Sequence, residues 1–285
     1  MANLKEIRNR ISSVSSTMQI TSAMKMVSAA KLKKAQDAIT AMRPYSDKLT
    51  ELLQSLSASL EADGGSKYAD NREVNKVLVV AITSNRGLCG AFNTNIIKQC
   101  SVLLNTHTGK QVDFITIGKK ANDVLEKNNT ILSNHSSVYD DLTFDNVAEI
   151  AENLMQRFTE GEYDKIELVY NKFKNAATQI IMSEQFLPIV PVEGDTTGAA
   201  DYIFEPSKPE IVEQLIPKSL KTQLYKAIRD SFASEHGARM TAMHKATDNA
   251  TELRDQLKLT YNKARQAAIT NEILEIVGGA EALNN

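Results

Sequence analysis

The chain has 285 residues, 42% of them hydrophobic and 24% charged, with a net charge of −2. That length allows one large or two modest domains with a real core, and the charge argues against general nucleic-acid binding, which needs a basic footprint. Cys89 and Cys100 are too few for a disulfide framework, and the charged start "MANLKEIRNRISS" is no secretory signal. No apolar run approaches a bilayer span, so a reducing, cytoplasmic-type compartment is expected and no transmembrane segment.

The first 60 residues hold one Pro, Pro44, and no Gly. Leu4, Ile7, Ile11, Val14 and Met18 step by threes and fours, the narrow seam of a coiled coil. Val27, Leu32, Ala35, Ile39 and Met42 are read as its less regular continuation. Pro44 is expected to bend the helix before "DKLTELLQSLSASL" resumes it. At about 1.5 Å per residue such a helix reaches roughly 80 Å, more than a compact domain of this size can bury. It is also basic, with nine Lys/Arg against four Asp/Glu. This is either a solvated face or a surface for an acidic protein partner.

Residues 61–75 read as a polar linker with a Gly pair. Strands are then expected at "NKVLVVAIT", "QVDFITIG" and "KIELVYNKF", with helices at 94–104, 119–128 and 144–160. The last shows Phe144, Val147, Ala148, Ala151, Leu154, Met155 and Phe158 on one face. Alternating strands and helices of this length imply a mostly parallel sheet covered on both faces. "TQIIMSEQFLPIVPV" reads as a further strand pair or an extended edge.

A second linker, 193–206, precedes a capping-box spacing, Ser207 to Glu210, with Pro209 in the first turn. A helical pattern runs on to Ala282, with an interruption expected at Pro217 and a seam at Leu253, Leu257, Tyr261, Ala264 and Ala268. Gly278 and Gly279 either close this helix or leave its tip slender. The fold class is therefore α/β with a long antiparallel α-helical coiled coil. A Rossmann-like central domain, 76–192, is inserted between helices at 1–60 and 207–285, which are expected to pair and project from it.

The stretch "NRGLCGAFN" joins an apolar strand to a helix. Gly87 and Gly90 lack the G-x-G-x-x-G spacing of a dinucleotide loop, and no G-K-[ST] follows. A nucleophilic Cys89 needs a base, and His107, His135, His236 and His244 stand in no Cys/His arrangement. The preferred reading is structural: a turn in which Gly87 and Gly90 permit positive φ and Cys89 is a small buried residue. The scattered His and Cys carry no metal-ligand spacing, and no catalytic constellation is apparent.

Three stretches carry a resemblance: "IRNRISSVSSTMQITSAMKMVSAAKLKKAQ", "SNRGLCGAFN" and "ITNEILEIVGGAEA", in which Ile269, Thr270, Glu272, Glu275, Gly279 and Ala280 hold the family's spacing. Along essentially its whole length the sequence resembles the gamma subunit of F-type ATP synthases, bacterial type. The resemblance implies a rotor shaft without catalytic residues, cofactor or metal. Its partners would be the alpha and beta subunits of the catalytic ring, the epsilon subunit and the c-ring, at the cytoplasmic face of the bacterial inner membrane. It implies contacts with the alpha/beta ring at Met24, Lys25, Arg239, Arg265, Gln266, Thr270 and Glu272. Departures from the family pattern are Asn85 in "SNRG" where Asp is frequent, Gly237 where Ala is common, and His244 where Lys is frequent. The rival readings are a cysteine- or nucleotide-dependent α/β enzyme and a static coiled-coil adaptor.

Overall fold

A computed structural model describes residues 4–60, 67–70, 72–189 and 208–284; the side chains of 47, 50–60, 208–213 and 281–284 lie outside that description. Helix α1 is Leu4–Leu60 and α5 is Lys208–Asn284. Between them come β1 (Lys76–Ile82), α2 (Phe92–Thr106), β2 (Gln111–Ile117), α3 (Lys119–Leu125), β3 (Ile131–Asn134), a short 3-10 turn at Ser136–Tyr139, α4 (Phe144–Thr159), β4 (Lys165–Phe173) and β5 (Gln179–Leu187). Close contacts divide the chain into two units, 29–239 and a second made of 1–28 with 240–285.

In the larger unit the five strands lie in the order β3-β2-β1-β4-β5, all parallel except β5. The expected mostly parallel sheet is therefore present. β1 is central and its last six residues are all buried, which explains why "VLVVAI" reads as a continuous apolar run rather than an alternation. Leu78, Val80 and Ile82 face one core, built with Val147, Leu154 and Phe158 of α4. Val77, Val79 and Ala81 face the other, built with Ile96 and Cys100 of α2 and Ala121 and Leu125 of α3.

The first core also takes Ile216, Leu220, Leu224, Ala227 and Ile228 from α5. The end helices are expected to pair with each other; α5 in addition packs this stretch, Ile216 to Ile228, into the core beneath the sheet. Neither internal proline ends its helix: α1 runs through Pro44 and α5 through Pro217. Pro217 lies beside Ile216 and is followed by Leu220, both buried in the core, and such packing offsets one lost backbone hydrogen bond. Gly278 and Gly279 likewise lie inside α5 rather than at its end.

β3 and the 3-10 turn were not expected from sequence. "TQIIMSEQFLPIVPV", read as a strand pair or an extended edge, supplies the antiparallel edge strand β5, and its residues 190–192 lie outside the described residues. On α4, Ile150 is buried where Phe144 is exposed. Residues 61–66 and 71 of the first linker, all of 190–207, and the side chains of Pro209 and Glu210 fall outside the described residues.

Candidate functional site

The turn after β1 sits where the strand order reverses, the crevice that binds ligands in many open α/β sheets. Here that turn is tied to the end of β2 and the start of α3. Thr83 N donates to the Ile117 carbonyl at 2.8 Å, and Ala121 N donates to Thr83 Oγ1 at 3.0 Å. Gly118, at φ +117, lies so close that an added Cβ would fall 2.1 Å from the Thr83 carbonyl oxygen. Lys119 N donates to Asn85 Oδ1 and Lys120 N to the Ser84 carbonyl. The amides that open α3, a ready anion site in a nucleotide-binding protein, are thus spent on the β1–α2 turn. Asn85 also donates through Nδ2 to the Ser136 carbonyl at 2.8 Å. An aspartate there could accept from Lys119 but could not donate to Ser136, so the Asn at this position has a physical role.

Gly90 takes φ +61, as the turn reading expects, but Gly87 does not take positive φ; Leu88 does, at +62. A leucine in this region costs about 1 kcal/mol, and the turn holds it from both sides. Downstream, Cys89 is buried and accepts from Asn93 Nδ2 at 3.2 Å. The same Nδ2 donates to Ser84 Oγ, while Asn93 Oδ1 accepts from Ser84 N. Burial pushes the Cys89 thiol up, against smaller opposing pulls from the Ser84 hydrogen bond and the Arg239 charge. That is the wrong direction for a nucleophile. Cys100, fully buried, is pushed up to about 12 by burial.

Upstream, the turn is held by Arg239, which is only 8% exposed. Its Nη2 donates to the carbonyls of Arg86 at 3.0 Å and Gly87 at 3.2 Å, and Nε reaches Gly87 at 3.3 Å. Its Nη1 donates to Glu235 Oε1 at 2.6 Å, one helical turn back, and lies 3.4 Å from His236 Nδ1. The guanidinium is therefore fully engaged inside the chain. Arg239, for which the resemblance implies a ring contact, thus has these partners within the chain. Burial raises the Glu235 carboxyl, with Arg239, Lys31 and Arg86 pulling the other way. His236 is lowered to about 4 by burial, helped by the Arg239 and Lys31 charges, and so stays neutral. An arginine offers only donors, so His236 Nδ1 accepts and Nε2 carries the proton; Nε2 is buried with no hydrogen-bond partner.

In the smaller unit α1 and α5 run antiparallel, with Arg8 at Tyr261, Met18 at Thr251 and Arg254, Thr21 at Thr247, and Lys25 at His244. The seam on α1 keeps a three-four step throughout: after Met18 come Thr21, Lys25 and Ser28, then Leu32, Ala35 and Ile39. Val27, read as part of it, is exposed, and Ser28 is buried in its place. On α5, Leu253 is 47% exposed, and Arg254 takes the seam position, its Nη1 3.5 Å from Met18 Sδ. Leu257, Tyr261, Ala264 and Ala268 are half-buried as the periodicity implies. Met24 and Lys25 are half-exposed, whereas Arg265, Gln266, Thr270 and Glu272 are exposed.

Among the described residues no group of three or more His, Cys, Asp or Glu could hold a metal ion, and no helix is long and apolar enough to cross a membrane. A hollow of about 530 Å³ is lined by Ser133, His135, Asn146, Glu149, Asn153 and Arg157, among others. Its arginine is already bonded to Asn153 and Glu162, and Ser133 and His135 bond each other. Sequence reasoning missed Ser234, Glu235 and Asn93. Glu235 and Arg239 do stand at the four-residue spacing of a helical ion pair, but that spacing does not tell a buried pair from a solvated one.

A family model described as ATP synthase matches residues 3–283. The chain is 75% identical over 284 residues to the "ATP synthase gamma chain" of Flavobacterium psychrophilum, covering 99% of each. Among solved structures it is similar to a chain of the Euglena gracilis mitochondrial ATP synthase, from an assembly of OSCP, F1 and c-ring in rotational state 3. That likeness has a TM-score of 0.72 at 24% identity, covers 98% of this chain and 94% of the other, and shows the fold. A chain from the central stalk and c-ring of the Tetrahymena thermophila mitochondrial enzyme matches with a TM-score of 0.59 at 26% identity, covering 80% and 99%.

Proposed function

Since the chain belongs to the gamma-chain family of ATP synthases, we propose that its work is mechanical, that of a shaft carrying torque and no chemistry of its own. It is a central-stalk subunit of the F-type enzyme. In the finer reading, the paired end helices stand in a ring of alternating alpha and beta subunits. The sheet unit stands beside the epsilon subunit and the c-ring. Proton flow turns the c-ring, the shaft turns with it, and the catalytic subunits cycle through their conformations. The site of this work is the cytoplasmic face of the bacterial inner membrane, reached through the complex.

The observation that carries the reading is the end of α5. With Arg8 level with Tyr261, the first described residue of α1, Leu4, lies level with about residue 265. Beyond that, Ile269, Ile273, Leu274, Ile276 and Val277 are all exposed. An apolar helix end of this size calls for a sleeve supplied by another protein. Gly278 and Gly279, with open space where a Cβ would stand, keep its outline thin.

A shaft changes the equilibria of its neighbours only if its contacts differ with rotational angle, and one helix standing past its partner is asymmetric in that way. Met24, Lys25, Arg265, Gln266, Thr270 and Glu272 are the ring contacts in this reading, and the exposure of the last four supports it. Exposed ion pairs worth under about 1 kcal/mol each suit a moving interface better than one deep anchor.

Deleting residues 274–285 tests the proposal. The shortened chain is expected to assemble with its partners while protons pumped per ATP hydrolysed fall. A static adaptor would assemble and leave that ratio unchanged, which would overturn the rotor reading.

A further inference from the structure

Helix α5 meets the sheet in two chemically different stretches. From Ile216 to Ile228 the side chains that enter the core beneath the sheet are aliphatic; buried Thr222 bonds back to its own helix, and Gln223 at the margin donates to Glu184 Oε1 of β5 at 2.7 Å. The aliphatic part of this packing is favourable but non-directional, so it fixes the angle of the helix less sharply than hydrogen bonds do.

From Ser231 to Arg239 the contact changes character. Ser234, fully buried, donates through Oγ to the Asn171 carbonyl of β4 at 3.0 Å. Asn171 in turn donates through Nδ2 to the Phe92 carbonyl at the start of α2. Gly237 backs onto Ala176 in the β4–β5 turn, where a Cβ would lie 3.2 Å from the Ala176 Cα and carbonyl oxygen. Arg239 then takes the Arg86 and Gly87 carbonyls of the β1–α2 turn. Three separate parts of the sheet unit thus hold little more than one turn of a single helix.

These holds oppose rotation of the helix about its own axis. A hydrogen bond weakens steeply once its angle or distance is lost, and a backbone in van der Waals contact cannot be passed by a turning helix. We propose that Ser234, Gly237 and Arg239 form the seat through which torque passes between α5 and the sheet, with Glu235 as the positioning residue that sets the Arg239 fork. The inference rests on the rotor reading above. Glu235 occupies Nη1 and so leaves Nε and Nη2 aimed at the turn. A buried guanidinium without its carboxylate would turn toward water and release both carbonyls. Gly237 acquires a reason here: it is the close approach, and not helix propensity, that the position serves.

The test is the angular fluctuation of a bead fixed to the sheet unit while the complex is stalled with a non-hydrolysable nucleotide. The bead is attached through Val102→Cys, an exposed position; native Cys89 and Cys100 are buried. Glu235→Ala and Ser234→Ala are compared with Leu224→Ala, which damages the apolar stretch alone, and Glu235→Gln serves should the alanine variant fail to fold. The seat variants are expected to broaden the angular distribution, Glu235→Gln less than Glu235→Ala, while Leu224→Ala lowers thermal stability and leaves the distribution as in the unmodified chain. Equal distributions for the seat variants and the unmodified chain, in complexes that assemble and rotate, would overturn the seat. Failure of the unmodified chain itself to rotate would instead overturn the rotor reading.

Discussion

His236 is a buried imidazole between a charged guanidinium and the Phe232 ring, whose centroid is 4.5 Å away. Its folded value, about 4, lies below the ordinary 6.5, so the unfolded chain takes up a proton first as pH falls. The His236 share of stability is intact above pH 6.5 and is lost between 6.5 and about 4, amounting to at most about 3 kcal/mol. Glu235 and Asp230, both raised by burial, act with the opposite sign and gain stability toward acid. Urea unfolding at pH 7 and pH 5 is therefore expected to show a smaller acid loss in His236→Gln than in the unmodified chain. Equal losses would contradict this account. None of this was legible in the sequence, because a histidine three residues before an arginine reads alike on a buried or a solvated helix. Gly237 and Asn85 were visible as departures from the family pattern, but their reasons needed coordinates. One lies in a hairpin turn 61 residues earlier and the other in the Ser136 carbonyl.

At the scale of elements, the strongest signals were long apolar runs and long helical patterns. β1 was legible as a continuous apolar run, as a strand buried on both faces is, and β2 and β4 as short apolar-rich runs alternating with helical patterns. β3 was not, since "ILSN" offers two apolar residues on an edge and its pairing with β2 is irregular. The coiled-coil seam was legible where it is apolar and lost where it is not. Thr21, Lys25 and Ser28 on α1 and Thr247 and Arg254 on α5 hold seam positions, and polar residues there hide the three-four step from a reading of hydrophobicity. Thr21 and Thr247 meet through their hydroxyls at 2.8 Å, and the Arg254 guanidinium reaches Met18 Sδ at 3.5 Å. Thermal melts of the helical signal separate the two readings of α5. Leu253→Glu is expected to stay within about 0.5 kcal/mol of the unmodified chain, and Leu257→Glu to cost about 1 kcal/mol or more. A larger loss at Leu253 than at Leu257 would restore the seam as first read.

For the whole molecule, the fold and the family were both legible, because three separated motifs stand in order along a chain whose ends are helical and whose middle alternates. What was not legible is the work the motifs do within the chain. "SNRGLCGAFN" has the outline of a ligand loop, yet it is a joint gripped by Arg239 on one side and by Asn93 on the other. That makes it a part of the mechanical account rather than an exception to it. The central claim is that the chain is a rotor with no activity of its own, and reconstitution tests it most directly. The purified chain is mixed with its own alpha and beta subunits, the complex is isolated by gel filtration, and ATP hydrolysis is compared with that of each part alone. The account predicts one copy of this chain in each alpha/beta ring, and full activity only in the mixture. ATP hydrolysis by the isolated chain, or no complex at all, would contradict it.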